Sequence, residues 1–265
     1  MPVVSTKKIQ RNKNWKVIIY GKAGVGKTTA AKFLKGKTLI LPLDNSAKVL
    51  ANEANIDIWK DPKFDTDDDN YFDREHPIES IVAFFNEINS GVTKLSNYNN
   101  LFIDNVSSFE DDWFVERGRK SKNGIANEIQ DYGAWKNYFS RIMTSLYLLP
   151  NVNVVTTAWE EQRDLTTESG QTFNQYAPEI RDKVRDGLLG LADVVGRVFV
   201  NPKTGGRGAI LEGNDAVYAK NRIDDRKFVP IEKLFGFGEP NDSEPQNSEG
   251  QNETTSTQSE KDGLK

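Results

Sequence analysis

The chain has 265 residues, a formal net charge of −4, no cysteine and a single histidine, His76. That composition excludes a disulfide scaffold, a zinc ribbon and an ordinary zinc site, and no run approaches the roughly 18 apolar residues of a membrane span. The length admits one large α/β domain or two small ones.

Residues 1–14, MPVVSTKKIQRNKN, lack the apolar stretch of a secretory signal and read as an N-terminal arm, so a cytoplasmic protein with no membrane partner is expected. The run WKVIIY at 15–20 is apolar, rich in β-branched residues and stopped by Gly21, which predicts a buried strand. KTTAAKFLK at 27–35 carries Ala30, Phe33 and Leu34 at helical spacing, with Gly36 as its end signal. TLILPL at 38–43 predicts a second strand with Pro42 near its end. DTDDDN at 65–70 departs from an EF-hand at its glycine and closing acid positions and reads as a solvated loop.

PIESIVAFFNEI at 77–88 has a helical apolar period and a proline suited to a first turn. A strand at 101–103 ends in Asp104, a long helix is predicted within 124–149, and VNVVTT at 152–157 reads as a fourth strand. A helical segment ends at 186–191, a fifth strand follows at 194–200, and 209–211 with 217–219 predict a hairpin around GND. Strands alternating with helices in this way predict an α/β three-layer fold, a mainly parallel sheet with helices on both faces, over 15–238. Residues 239–265 hold seven acidic side chains, two basic ones and no aromatic, and are expected to be a disordered acidic tail. The rest of the chain then carries 33 basic and 32 acidic side chains, so the net charge belongs to the tail.

The run GKAGVGKTT matches G-x-x-x-x-G-K-[ST] between a predicted strand and a predicted helix, the context that makes this motif a P-loop. Its parts are Gly21, Lys22, Ala23, Gly24, Val25, Gly26, Lys27, Thr28 and Thr29. Glycines let the backbone fold into a nest of N–H donors for ATP phosphates; Lys27 reaches the β and γ phosphates, and the Thr28 hydroxyl ligates Mg²⁺. Such a site needs a second carboxylate for Mg²⁺ at a strand end, and Asp104 in NNLFIDNV supplies it. The next residue is Asn105 rather than Glu, which leaves two acids for activating water: Asp44 after the second strand and Glu160 after the fourth.

With the P-loop, LFIDNV, VVTTAWEE, LLGLADVVGRVFV and AKNRID, the chain resembles phage nucleotide-binding ATPases of the RecA-like type over about 15–222. These are similar to the RecA core and the RadA/Sms ATPases, and include phage single-strand annealing recombinases. The resemblance implies ATP hydrolysis in DNA recombination or replication, a homo-oligomer with nucleotide at subunit interfaces, single-stranded DNA as partner, and a single-strand binding protein as a further one. Lys220, Asn221 and Arg222 match the first three residues of a KNRFG motif, which implies cations acting on a neighbouring subunit's nucleotide; Ile223 and Asp224 then depart from it. The zinc motif of RadA-type proteins is missing with the cysteines, and two residues past Asp44, where RecA has Glu, stands Ser46.

In RecA-like proteins loops beyond the core strands line a channel for single-stranded DNA. Here 160–185 offers TTESGQT as a flexible centre, Phe173 and Tyr176 as stacking groups, and Arg163, Arg181, Lys183 and Arg185 as cations; Arg117, Arg119, Lys120 and Lys122 form a second cluster. A nucleotide-gated regulatory or assembly ATPase that binds no DNA is the alternative.

Overall fold

The computed structural model describes residues 5–8, 10, 12–66, 70–166 and 170–238. The expected tail at 239–265, the centre of DTDDDN at 67–69 and residues 167–169 of TTESGQT lie outside the described residues.

In chain order the strands and helices are β1 (Lys16–Tyr20), β2 (Thr38–Pro42), β3 (Ile56–Ile58), α1 (Pro77–Ser90), β4 (Asn100–Asp104), α2 (Val106–Arg119) and α3 (Ile129–Tyr147). There follow β5 (Asn153–Ala158), β6 (Glu160–Thr166), β7 (Thr172–Pro178), α4 (Asp182–Leu191), β8 (Val194–Val200), β9 (Arg207–Ile210), β10 (Lys220–Asn221) and β11 (Phe228–Pro230). The main sheet runs β11-β9-β8-β1-β5-β4-β2-β3, with β10 paired to β8. Strands β8, β1, β5, β4, β2 and β3 are parallel, whereas β9, β10 and β11 add antiparallel pairs at one edge. The fold is therefore the α/β class expected from the sequence, a mainly parallel sheet with a mixed edge. Strand β5 lies between β1, which leads into the P-loop, and β4, which ends at Asp104.

Alternation along the strands makes two cores, because successive side chains point to opposite faces. Ile18 and Tyr20 join a cluster with Phe84 of α1, Phe109 and Trp113 of α2, Trp135 and Phe139 of α3, and Leu188 of α4. Val17 and Ile19 face the other way, against Ala30, Ala31, Leu50, Ile231 and Leu234. Both faces are covered, but the four α-helices among the described residues all lie on the first. The second is closed by 3-10 turns at Thr28–Phe33, Ala47–Leu50 and Ile231–Lys233, and by Phe235 and Phe237 packed on Trp15. The helix expected after the P-loop is thus a 3-10 turn, in which the Ala30 amide is shared by the carbonyls of Gly26 and Lys27.

Helix α1 starts on Pro77 and ends at Gly91 in the left-handed region (φ 76°), as proline and glycine at those positions favour. Helix α3 starts later than its apolar pattern, at Ile129, where Glu128 and Asp131 close a capping box. The hairpin expected between 209–211 and 217–219 is corrected: β8 and β11 occupy both edges of β9. Val217 instead bridges Asn214 and Tyr176. The stretch read as a long loop at 160–185 is also different, since β6 and β7 pair over their whole length as an antiparallel ribbon. Tyr20 holds the base of that ribbon, its hydroxyl lying 3.0 and 2.7 Å from the carbonyls of Tyr176 and Tyr218.

No helix among the described residues is long and apolar enough to cross a membrane. Trp135, 1% exposed, packs at tilted ring angles against Phe109, Trp113, Phe114 and Phe139 at the centre of the helical layer. Trp135→Ala should lower unfolding free energy by about 3–5 kcal/mol, measured by urea denaturation; a loss under about 1 kcal/mol would contradict this packing.

Candidate nucleotide site

The P-loop leaves the C-terminal end of β1, where the open ends of parallel strands form a crevice. Gly24 and Gly26 take positive φ values of 78° and 101°, which L side chains resist, so the glycines permit the fold of the loop. Gly21 is required for a different reason: a Cβ there would stand 2.4 Å from the Val198 carbonyl oxygen of β8.

Lys27 is 8% exposed and donates from Nζ to the carbonyls of Gly21 (2.7 Å) and Lys22 (3.0 Å). Burial lowers its pKa, and the nearby charges of Asp104, Asp44 and Glu160 oppose that shift. The Thr28 hydroxyl donates to Asp104 Oδ2 at 2.5 Å, Thr157 of β5 donates to Asp104 Oδ1, and Ser46 lies 3.4 Å from Oδ2. The intervening strand β5 thus contributes a small polar side chain that lets Asp104 meet the P-loop. Burial, and then the charge of Asp44, push the Asp104 carboxyl up to about 6.

The donor chemistry fits Mg²⁺. Thr28 and Asp104 offer touching hard-oxygen groups, and the buried carboxylate, raised by a second acid, is one that a divalent cation would stabilise. Bound there, Mg²⁺ would neutralise part of the phosphate charge.

Asp44 lines the same cavity, which has a volume of about 350 Å³ and also takes in Trp159, Asn105 and Arg207. Asp44 accepts from the Ser46 amide (2.9 Å) and the Asn105 side chain (3.0 Å), so its carboxylate is oriented. Glu160 does not line the cavity. Its side chain is 3% exposed and bound to Arg197 at 2.7 Å, and that guanidinium lies 3.7 Å over the Tyr176 ring. Of the two acids left open by the sequence, Asp44 lines the phosphate cradle, whereas Glu160 acts on Lys27 through its charge from outside the cavity.

Lys220 and Arg222 stand at the opposite end of the sheet. Lys220 pairs with Val195 and Asn221 with Val194, at the start of β8, whereas the P-loop lies beside the end of β1. Lys220 donates to the Leu189 carbonyl and Arg222 to that of Gly190, so neither reaches the nucleotide cavity of its own chain. Burial and then the Arg222 charge lower the Lys220 pKa to about 8.

The cations expected to meet DNA are mostly committed inside the molecule. Arg185 is 3% exposed and bound to Glu161 and Asp182; Arg181 pairs with Glu110 and stacks 4.1 Å over Phe114; Arg163 bonds to Gln175. Arg117 pairs with Asp131 and Lys120 with Glu116, and Arg119 donates to the Glu75 carbonyl. Lys122 and Lys183 are exposed. A larger cavity of about 510 Å³ lies beside α2 and α3, lined by Glu110, Asp111, Glu161, Glu179 and Asp182 together with the cations Lys136, Arg181 and Lys183, and no P-loop residue reaches it.

A family model described as an AAA domain matches residues 13–223, the stretch that contains the P-loop, Asp44 and Asp104. The chain belongs to the AAA domain family. Membership supports a nucleotide-binding ATPase domain of the P-loop type. Comparison with curated proteins gives no match. Among solved structures the chain is similar to a KaiC-like protein from the hyperthermophilic archaeon Pyrococcus horikoshii OT3, with a TM-score of 0.41, 13% identity, and coverage of 75% of this chain and 78% of that one.

The sequence reading missed two residues of this AAA site, Arg207 and Trp159. Trp159 belonged to the quoted segment VVTTAWEE, but only its position past the end of β5 brings it beside the cradle. Trp15, Trp59, Trp113 and Trp135 are all at most 5% exposed, so Trp159 is the tryptophan placed to report on nucleotide. Adding Mg-ATP should change intrinsic fluorescence in the wild type, with the change lost in Trp159→Phe; an unaltered response in that variant would put nucleotide elsewhere.

Proposed function

We propose that this AAA-family protein binds Mg-ATP over Gly21–Thr29 and hydrolyses it, with Asp44 activating the attacking water. The observation that carries this reading is the convergence of Lys27, Thr28, Asp104 and Asp44 on one cavity at the ends of three parallel strands. Lys27 and the glycine-rich backbone hold phosphate, Thr28 and Asp104 hold Mg²⁺, and Asp44, fixed by Asn105, faces the water. Lys27→Ala should lower turnover at least about 100-fold. Unchanged phosphate release would remove the P-loop from the chemistry.

The turnover serves phage DNA recombination or replication through single-stranded DNA, as an annealing or mediator ATPase, working alone or beside a single-strand binding protein. The resemblance of the P-loop, LFIDNV, LLGLADVVGRVFV and AKNRID segments to RecA-like phage ATPases supports this, together with the exposed Lys122 and Lys183. A second reading, a nucleotide-gated assembly ATPase that binds no DNA, is favoured by one observation: Arg163, Arg181 and Arg185 already have partners within the fold. A labelled single-stranded oligonucleotide separates the two. Binding that weakens as salt rises, with faster ATP turnover, is expected for the first. No binding at low salt would leave the second.

In the homo-oligomer that the resemblance implies, Lys220 and Arg222 act on the neighbouring subunit's nucleotide, consistent with their distance from their own P-loop. Mixing Lys27→Ala with Arg222→Ala subunits should then restore part of the hydrolysis that each lacks alone. Assembled mixtures that stay inactive would exclude this arrangement.

A further inference from the structure

The β8–β9 hairpin stands directly against the P-loop. Strand β8 is the parallel neighbour of β1 up to Arg197, and it continues past the end of β1 as Val198–Val200 before turning back into β9. Its Val198 carbonyl touches the start of the loop, at the place where a Gly21 Cβ would clash. The turn is internally bonded: the Asn201 amide donates to the Gly206 carbonyl and the Gly205 amide to that of Asn201, both at 2.8 Å. The Asn201 side chain accepts from the Lys203 amide at 2.9 Å. The first residue of β9, Arg207, is therefore held by backbone pairing to Val200 at a fixed place beside the cradle.

The Arg207 side chain lies across Gly26. Its Cδ and Nε are 3.0 and 3.1 Å from the point that a Cβ on Gly26 would occupy, and it lines the same cavity as Lys27, Thr28 and Asp104. It is exposed, and among the described residues no carboxylate pairs with it and no hydrogen bond engages its guanidinium. The other arginine of this hairpin, Arg197, is bound to Glu160. A guanidinium carries five N–H donors in a planar fork that matches phosphate oxygens, and it keeps its charge at any physiological pH. An unpaired one placed over a phosphate-binding loop has its natural partner in the nucleotide.

We propose that Arg207 is a catalytic residue supplied in cis, contacting the phosphates of ATP bound to its own P-loop and stabilising the charge that develops during hydrolysis. The proposal rests on the ATPase reading above and adds the phosphate-contacting cation to it. In the reaction the water oxygen bonds to the γ-phosphorus as the bond to the β,γ-bridging oxygen breaks. The electron pair of that bond leaves with ADP, and the water's proton ends on inorganic phosphate. Negative charge moves toward the bridging oxygen, and a guanidinium fixed beside the loop stabilises it without rearrangement of the fold.

The test is steady-state ATP hydrolysis by Arg207→Ala and Arg207→Lys, with ADP affinity measured by tryptophan fluorescence. Arg207→Ala should lose about 100-fold in kcat and hold ADP within about threefold of wild type, with Arg207→Lys intermediate. Because the residue acts in cis, mixing Arg207→Ala with Lys27→Ala subunits should restore nothing, as neither has a complete site. Wild-type turnover by Arg207→Ala, recovery in the mixture, or loss of ADP binding in both variants would each overturn the assignment. Lys27→Ala run alongside separates the failures: an active Lys27→Ala sinks the ATP site itself, whereas an inactive one with an active Arg207→Ala sinks only the role of Arg207.

Discussion

The hydrogen bond between Thr28 and Asp104 joins two strands that do not touch. Strand β5 separates β1 from β4, so a carboxylate at the end of β4 must pass over β5 to meet the P-loop, and Thr157 makes that passage polar as well as short. A large apolar residue at 157 would crowd Asp104 and leave its buried Oδ1 without the Thr157 donor, a cost of about 1–3 kcal/mol. The whole candidate nucleotide site is organised around this junction. Asp44 adds its amide to the Asp104 carbonyl, and Asn105 ties Asp44 to the same corner.

Around that junction the sheet divides the labour of burial. One face buries the aromatic layer of α2 and α3, which does not line the P-loop cavity and gives β1, β4 and β5 a rigid backing. The other face is covered thinly, by 3-10 turns, one of which is the continuation of the P-loop itself. The loop is thus anchored from below by Ala30 and Ala31 and from the side by β8, while its open side faces the cavity.

Charge follows the same division. The cavity at the P-loop gathers Lys27 and Arg207 with Asp44 and Asp104, whereas the larger cavity beside α2 mixes five carboxylates with Lys136, Arg181 and Lys183. Most arginines that a linear reading would assign to a nucleic-acid surface are consumed by acids close to them in space but distant in sequence. Arg185 with Glu161 and Arg181 with Glu110 are such pairs. The ribbon of β6 and β7 has the same origin: a polar stretch with a glycine looked like a loop because neither strand has an apolar run of its own, and their mutual pairing is what makes them strands.

The sequence by itself determined the P-loop and its strand, because the glycines, the lysine and the hydroxyl sit within nine residues and their roles depend on local backbone geometry. It also determined the parallel α/β class, through strands alternating with helices, and picked out Asp104 by its place at the end of an apolar run. The tertiary structure decided everything that depends on separations of many residues. It put Asp44 rather than Glu160 in the lining of the cradle, since the buried Glu160 side chain is paired with Arg197. It carried Lys220 and Arg222 to the far end of the sheet, because β10 runs antiparallel to β8 from its beginning. And it laid Arg207 over Gly26, a contact across 181 positions that no local pattern encodes, since it arises only where β8 turns back beside the loop.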